Sequence, residues 1–133
     1  AGAFRECGTA LGYVFQIRDD VLGVWGEEER TGKPVGADIR RKKNSYPVVH
    51  ARETAQQRDV NRLTEIYQKD ILDDSDVMSV LDVMDRANVQ WHAQNNAAGY
   101  AEAALDSISH VELSRESRQE IEDLTRFLLV RDH

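Results

Sequence analysis

With 133 residues, 41% of them apolar, the chain is long enough to bury the core of one ordinary domain and has no low-complexity tract of the kind that stays disordered. Its 17 basic and 24 acidic side chains leave a net charge of −7, which disfavours nucleic acid and anionic membrane as general partners, so any anion has to be bound locally. The single cysteine, Cys7, excludes an internal disulfide and a thiolate metal site; it reads as a small core residue in a reducing, cytoplasmic setting.

Phe4, Cys7, Leu11, Val14, Val21 and Trp25 recur at helical spacing and predict one long helix to about Trp25, stopped by Gly26. The opening stretch AGAFRECGTALGY lacks a basic segment followed by an apolar block, and no apolar run approaches the roughly 20 residues that span a bilayer, so no export signal or membrane anchor is expected. The chain opens inside a helix, as though the natural polypeptide extended upstream. Residues 26–44, with Gly26, Gly32, Gly36 and Pro34 in polar surroundings, predict a long loop, and such a loop in a compact domain is usually functional. It is also a basic island. Residues 26–45 hold six Lys/Arg against four Asp/Glu, whereas residues 46–133 hold nine against seventeen.

A second helix is expected to begin near Asn44 or Ser45, with Pro47 tolerated in its first turn. Thr54, three residues before Gln57, suggests a capping box for a third helix with a stripe of Val60, Leu63, Ile66 and Tyr67. Asp74 or Ser75 would cap a fourth with Val77, Val80, Leu81 and Met84 inward; the carboxylates from Asp73 to Asp76 read as capping groups rather than a second site. A fifth should run from Val89 to about Ile108 with Ala97, Tyr100, Ala101, Ala104, Leu105 and Ile108 on a close-packing face. The last begins after Ser114 and reaches about Val130, with Ile121, Leu124, Phe127 and Leu128 on one side. Trp25 and Trp91 read as packing residues. No segment alternates with a period of two. The expectation is all-α, a single partial domain over residues 1–133.

The first helix carries a feature that a core-facing helix does not need. Gly12, Gln16, Asp19, Asp20 and Gly23 line one side, while Leu11, Val14 and Val21 turn toward another. Two carboxylates within one turn repel, and burying them uncompensated raises their pKa and costs on the order of several kcal/mol. A divalent cation removes that penalty. Oxygen ligands with no His or Cys nearby suit Mg²⁺, which takes one or two carboxylates and completes its shell with water and phosphate. The basic loop just downstream could hold that phosphate. Other candidate signals are weaker: GEEERTGK has the wrong spacing and a helix rather than a strand before it for a phosphate-binding P-loop, Asp82 and Asp85 read as a solvated face, and the four histidines have no ligand spacing.

The combination GTALGYVFQIRDDVLGVWG followed by TGKPVGADIRRKKNSYPVV resembles the second aspartate-rich region and following loop of the trans-isoprenyl diphosphate synthases, the farnesyl and geranylgeranyl diphosphate synthase family. The similarity is dense over Gly8 to Val49 and carried by Phe-Gln-x-x-Asp-Asp, Thr-Gly-Lys, Asp-Ile and Lys-x-Ser. The resemblance implies the C-terminal part of an isoprenoid-synthase-type helical bundle. It implies that Asp19 and Asp20 bind Mg²⁺ bridging an allylic prenyl diphosphate, with Gln16 beside the same substrate. Lys33 and Lys43 would contact diphosphate oxygens, Phe15 would border the isoprenoid pocket, and Asp38 would order the loop. One position departs from the pattern: Gly23 stands where the family usually has a third aspartate.

By the same resemblance the activity expected is prenyl transfer to isopentenyl diphosphate, in a homodimer, with a further aspartate-rich motif upstream of Ala1 and with these residues silent by themselves. Two other readings stay open: a class I terpene cyclase using the same diphosphate site without isopentenyl diphosphate, and a non-catalytic helical regulatory subunit.

Overall fold

In the computed structural model, which describes residues 2–133, eight helices follow one another with no strand among the described residues. They are α1 (Gly2–Trp25), α2 (Glu28–Thr31), α3 (Ala37–Arg40), α4 (Tyr46–Thr54), α5 (Gln57–Tyr67), α6 (Asp74–Arg86), α7 (Val89–Ser107) and α8 (Arg115–Val130). None of them is long and apolar enough to cross a membrane. The expected long loop after Gly26 therefore contains two single helical turns, α2 and α3.

The chain divides into two compact units. One consists of the chain up to Asp19 with Gln94–Arg131; the other is Asp20–Ala93 with Asp132 and His133. The second unit has α6 as its hub, with α3, α4 and α5 packed on it. Val77, Val80, Val83 and Met84 of α6, at helical spacing, meet Ile39, Val48, Ala51, Leu63, Ile66 and Leu72, with Val24 and Val89 in the same cluster. Leu81, expected to point inward, is partly buried and packs against this cluster, and Val83, which the stripe omits, is wholly buried within it.

The start of α6 is fixed by a capping box one residue earlier than expected. Asp76 donates its backbone N–H to Asp73 Oδ1 at 2.8 Å, and Asp73 donates its own to Asp76 Oδ2 at 2.9 Å. The Lys69 ammonium, 2.7 Å from the same Asp76 oxygen, and the Asp73 amide hold this buried carboxyl below the usual carboxylate range. Asp59, on α5, is likewise held low by the Arg86 guanidinium, which donates from Nε at 3.0 Å and from Nη2 at 2.8 Å. Thr54 does not cap α5. It is the last residue of α4, where its hydroxyl donates to the His50 carbonyl four residues back at 2.8 Å, and Gln56 takes the cap position without a side-chain bond.

The first unit has a core of small groups. Cys7 and Ala10 of α1 meet Ala104 of α7 and Ile108, flanked by Leu11, Val111, Leu113 and Ile121. Small residues let helices approach closely, as the Ala-rich face of α7 anticipated, and Tyr13 stacks on Tyr100 with ring centroids 4.8 Å apart. Ser114 caps α8, accepting from the Ser117 amide at 3.0 Å. The apolar side of α8 is not covered as its period suggests: Leu124 and Phe127 are 48% and 55% exposed, and Thr125 is the buried residue. Trp91 also departs from its packing role. It is 61% exposed, its ring edge-on to His92.

Candidate functional site

The two aspartates of α1 have opposite surroundings. Asp20 is 6% exposed, within the unit that contains the basic loop, and the loop supplies its counter-charge. Lys43 Nζ lies 3.3 Å from Asp20 Oδ1, and the Tyr46 amide at the first turn of α4 donates to Asp20 Oδ2 at 3.0 Å. Each oxygen of the carboxylate thus has a donor, which is what keeps it tolerable in a buried position.

Asp38 is the second buried carboxylate here, 3% exposed on α3. Arg41 donates to its Oδ1, and Lys43 Nζ lies 3.6 Å from its Oδ2, so Lys43 is shared between Asp20 and Asp38. The Asp38 carbonyl also accepts the Lys43 amide at 3.0 Å, and Lys42 takes a left-handed backbone conformation, φ 56°, at the turn between them. The carboxylate of Asp38 rests directly on Gly23: a methyl group built there would overlap it. The departure at Gly23 is therefore matched by a carboxylate arriving from the loop over the bare backbone one turn beyond Asp20.

The loop is held at its centre as well as its ends. Ile39 is wholly buried in the core and Val24 and Val48 flank the segment in the same cluster. Gly36 caps α3 with φ 79°, its α-carbon so close to Val77 that a side chain would collide with it. Around this frame Arg40 pairs with Asp74 and Lys42 donates to the Lys69 carbonyl, so these cations brace the loop against α6 and the turn before it. Lys33 stands apart: it is exposed between α2 and α3, its backbone N–H accepted by Thr31 Oγ1 at 3.2 Å.

Asp19 belongs to the other unit and is half-exposed, with Arg131 Nη2 3.7 Å from its Oδ1. Gln16 is exposed, and Phe15 is 47% exposed with the Arg131 guanidinium lying over its ring, 4.4 Å from the centroid. Of the residues expected to act together, the second unit joins Asp20, Asp38 and Lys43, and the first joins Phe15 and Asp19 through Arg131. The sequence gives no signal for Arg131 or the Tyr46 amide, because a lone arginine after a helix reads as a solvated end and a backbone donor has no residue signature. Among the described residues no group of three or more His, Cys, Asp or Glu side chains is arranged to hold a metal by itself. Hard carboxylate oxygens such as those of Asp20 are of the kind that fits a Mg²⁺ ion, which takes its remaining ligands from water and phosphate.

The profile of the family described as polyprenyl synthetase matches residues 1–84. A short chain isoprenyl diphosphate synthase of Methanothermobacter thermautotrophicus is 32% identical over 131 residues, which cover 98% of this chain and 39% of that protein. Among solved structures, a geranylgeranyl pyrophosphate synthetase from Pyrococcus horikoshii is similar with a TM-score of 0.87 at 34% identity, over 98% of this chain and 39% of the other. A polyprenyl synthetase from Streptomyces coelicolor shares the fold with a TM-score of 0.89 at 24% identity, over 97% of this chain and 40% of the other. The chain therefore spans about two fifths of the length of the proteins it matches in this way.

Proposed function

The chain belongs to the polyprenyl synthetase family, and from that premise we propose that it forms the C-terminal share of a trans-isoprenyl diphosphate synthase, which joins an allylic prenyl diphosphate to isopentenyl diphosphate. The observation that carries this reading is the pairing of buried Asp20 with Lys43, an acidic group and a loop cation held side by side under the control of Asp38. Asp19 and Asp20 would hold Mg²⁺, which when bound neutralises the diphosphate and makes pyrophosphate a competent leaving group.

The chain's own residues have distinct tasks. Lys33 and Lys43 bind diphosphate oxygens as compact point charges, Lys33 from an exposed position and Lys43 from a fixed one. Asp38 and Asp20 set where the Lys43 ammonium stands, so its attraction is aimed before the substrate arrives, and pre-aimed charge is the form in which electrostatic stabilisation lowers a barrier most. Gln16 lies beside the leaving diphosphate and Phe15 borders the isoprenoid chain. In the reaction the allylic C–O bond breaks with its electron pair leaving on pyrophosphate. The double bond of isopentenyl diphosphate then attacks the allylic carbon, and the resulting cation loses a proton to restore the alkene.

The test is prenyl transfer by the full-length protein, with and without isopentenyl diphosphate. Elongated product that requires isopentenyl diphosphate supports the synthase; a cyclised hydrocarbon made from the allylic diphosphate alone supports a cyclase instead. Asp19→Ala and Asp20→Ala should each lower turnover at least about a hundredfold while circular dichroism shows the helix content unchanged. Asp20→Asn, which can still accept the Tyr46 amide, separates charge from anchoring. Normal turnover in all three variants removes the metal assignment.

A further inference from the structure

Arg131 follows the last turn of α8, yet its side chain is only 10% exposed and converges on α1. Its guanidinium covers the Phe15 ring at 4.4 Å, its Nη2 lies 3.4 Å from the Phe15 carbonyl and 3.7 Å from Asp19 Oδ1, and its own carbonyl accepts from Arg18 Nη2 at 2.6 Å. We propose that Arg131 is a positioning residue for the diphosphate site: it holds Asp19 and Phe15 in register on α1 and serves as the counter-charge of Asp19 until a divalent cation replaces it. The proposal rests on the reading of Asp19 and Asp20 as the Mg²⁺ ligands.

Consecutive carboxylates on one helix repel each other. Asp20 is compensated by Lys43 and the Tyr46 amide, and Arg131 performs the same service for Asp19 from a different part of the sequence. An exposed arginine would lose most of that attraction to solvent and to its own freedom of movement. This one is already ordered by an aromatic face and by backbone contacts, and the planar guanidinium can stack on Phe15 while pointing an N–H edge at Asp19. A lysine could keep the charge but not that stacked geometry. The same fixed positive charge opposes an incoming dication. Arg131 therefore has two separable effects: it improves alignment of the site and weakens binding of bare metal.

Those effects have opposite signs in experiment, which a simple loss of structure would not produce. In the full-length protein, Mn²⁺ is used as the electron-paramagnetic-resonance probe for the Mg²⁺ site in the absence of diphosphate. Arg131→Gln and Arg131→Met should each bind Mn²⁺ about threefold to tenfold more tightly, since a like charge beside the site has gone, while kcat for prenyl transfer falls about tenfold. Arg131→Lys should leave Mn²⁺ affinity near that of the parent and still lower kcat, because the charge stays and the stacking goes. Unchanged or weaker Mn²⁺ binding in Gln and Met variants that keep their helical circular dichroism overturns the proposal. Loss of fold in both overturns it too, since the weight of the residue would then be structural. The double variant Asp19→Asn with Asp20→Asn tests the underlying reading separately: if it binds Mn²⁺ like the parent, the ligand assignment fails, whereas if it loses Mn²⁺ and the Arg131 variants do not change affinity, only the role of Arg131 fails.

Discussion

The two units of the chain are built from different material. The unit around α6 closes over Val, Ile, Leu and Met side chains that are almost entirely buried, and its charged residues at the core edge, Asp20, Asp38, Asp59 and Asp76, each have a basic partner. The unit around α7 packs on Cys7, Ala10, Ala104 and Ile108, has among the described residues only Val14 and Ile17 as further bulky buried aliphatics, and leaves Phe4, Tyr13, Phe15, Leu124 and Phe127 about half exposed. Bulky side chains remove far more apolar surface from water than alanines do, at about 25 cal/mol per Å², so the first of these units carries the greater share of its own stability. The basic loop is rooted there through Ile39. A loop whose middle residue is wholly buried presents its lysines with less freedom than one anchored only at its ends, and this is how the packing reaches the chemistry.

Leu63→Ala or Met84→Ala removes a fully buried side chain from the α6 core and should cost about 2–5 kcal/mol. Ile121→Ala, on the half-buried flank of the other core, should cost only about 1 kcal/mol. Denaturant unfolding of the full-length protein, with hydrogen exchange to identify which amides lose protection, measures both. Equal costs, or loss of protection spread evenly over the two units, would mean that the difference in core material has no energetic weight.

Much of this architecture is legible in the sequence, and the failures that concern packing and the site share one cause. The end of α1 at Gly26, Pro47 in the first turn of α4, the α6 stripe and the Ser114 cap all follow from local chemistry: a period, a ring that fixes φ, a hydroxyl that accepts an amide. The α8 stripe rests on the same kind of period, but period says which face is apolar and not whether another element arrives to cover it, and Leu124 and Phe127 are left half-exposed. In the candidate site, the acidic pair and the basic loop are visible as composition. What could not be read is who compensates whom. Arg131 lies 116 residues from the Phe15 it covers, and the contact of Asp38 with Gly23 depends on where α3 docks, which no spacing within the loop encodes.

Gly23→Ala puts a methyl group into the space of the Asp38 carboxylate, which is buried and tied to Arg41 and Lys43 and so cannot simply swing away. Overpacking of this kind costs about 1–3 kcal/mol, and displacement of Asp38 should loosen Lys43 and weaken binding of inorganic pyrophosphate. Adding Asp38→Ala should relieve the collision and recover part of the stability without restoring pyrophosphate binding. A neutral single variant would show that the loop yields freely at this contact, contrary to the anchoring argued from Ile39.

The smallest effect has the opposite sign and is expected in the other unit. Gly99 also lies inside a helix, α7, but it is exposed, and apart from its own stretch of helix backbone no heavy atom comes within 4 Å of where its β-carbon would stand. Its φ is not in the left-handed region, so alanine can adopt the same backbone without strain. Nothing therefore opposes the usual advantage of alanine, which gives the unfolded chain less backbone freedom to lose and favours the helix by about 0.5–1 kcal/mol. Gly99→Ala should raise the unfolding midpoint by a corresponding small amount and leave pyrophosphate binding untouched, while Gly23→Ala lowers both. The paired measurement isolates environment from residue type, since the same substitution is made twice in helix interiors. A destabilised Gly99→Ala protein would imply that this face of α7 is approached by something in the full-length protein that the open space around Gly99 does not reveal, and the distinction between a closed and an open unit would have to be drawn elsewhere.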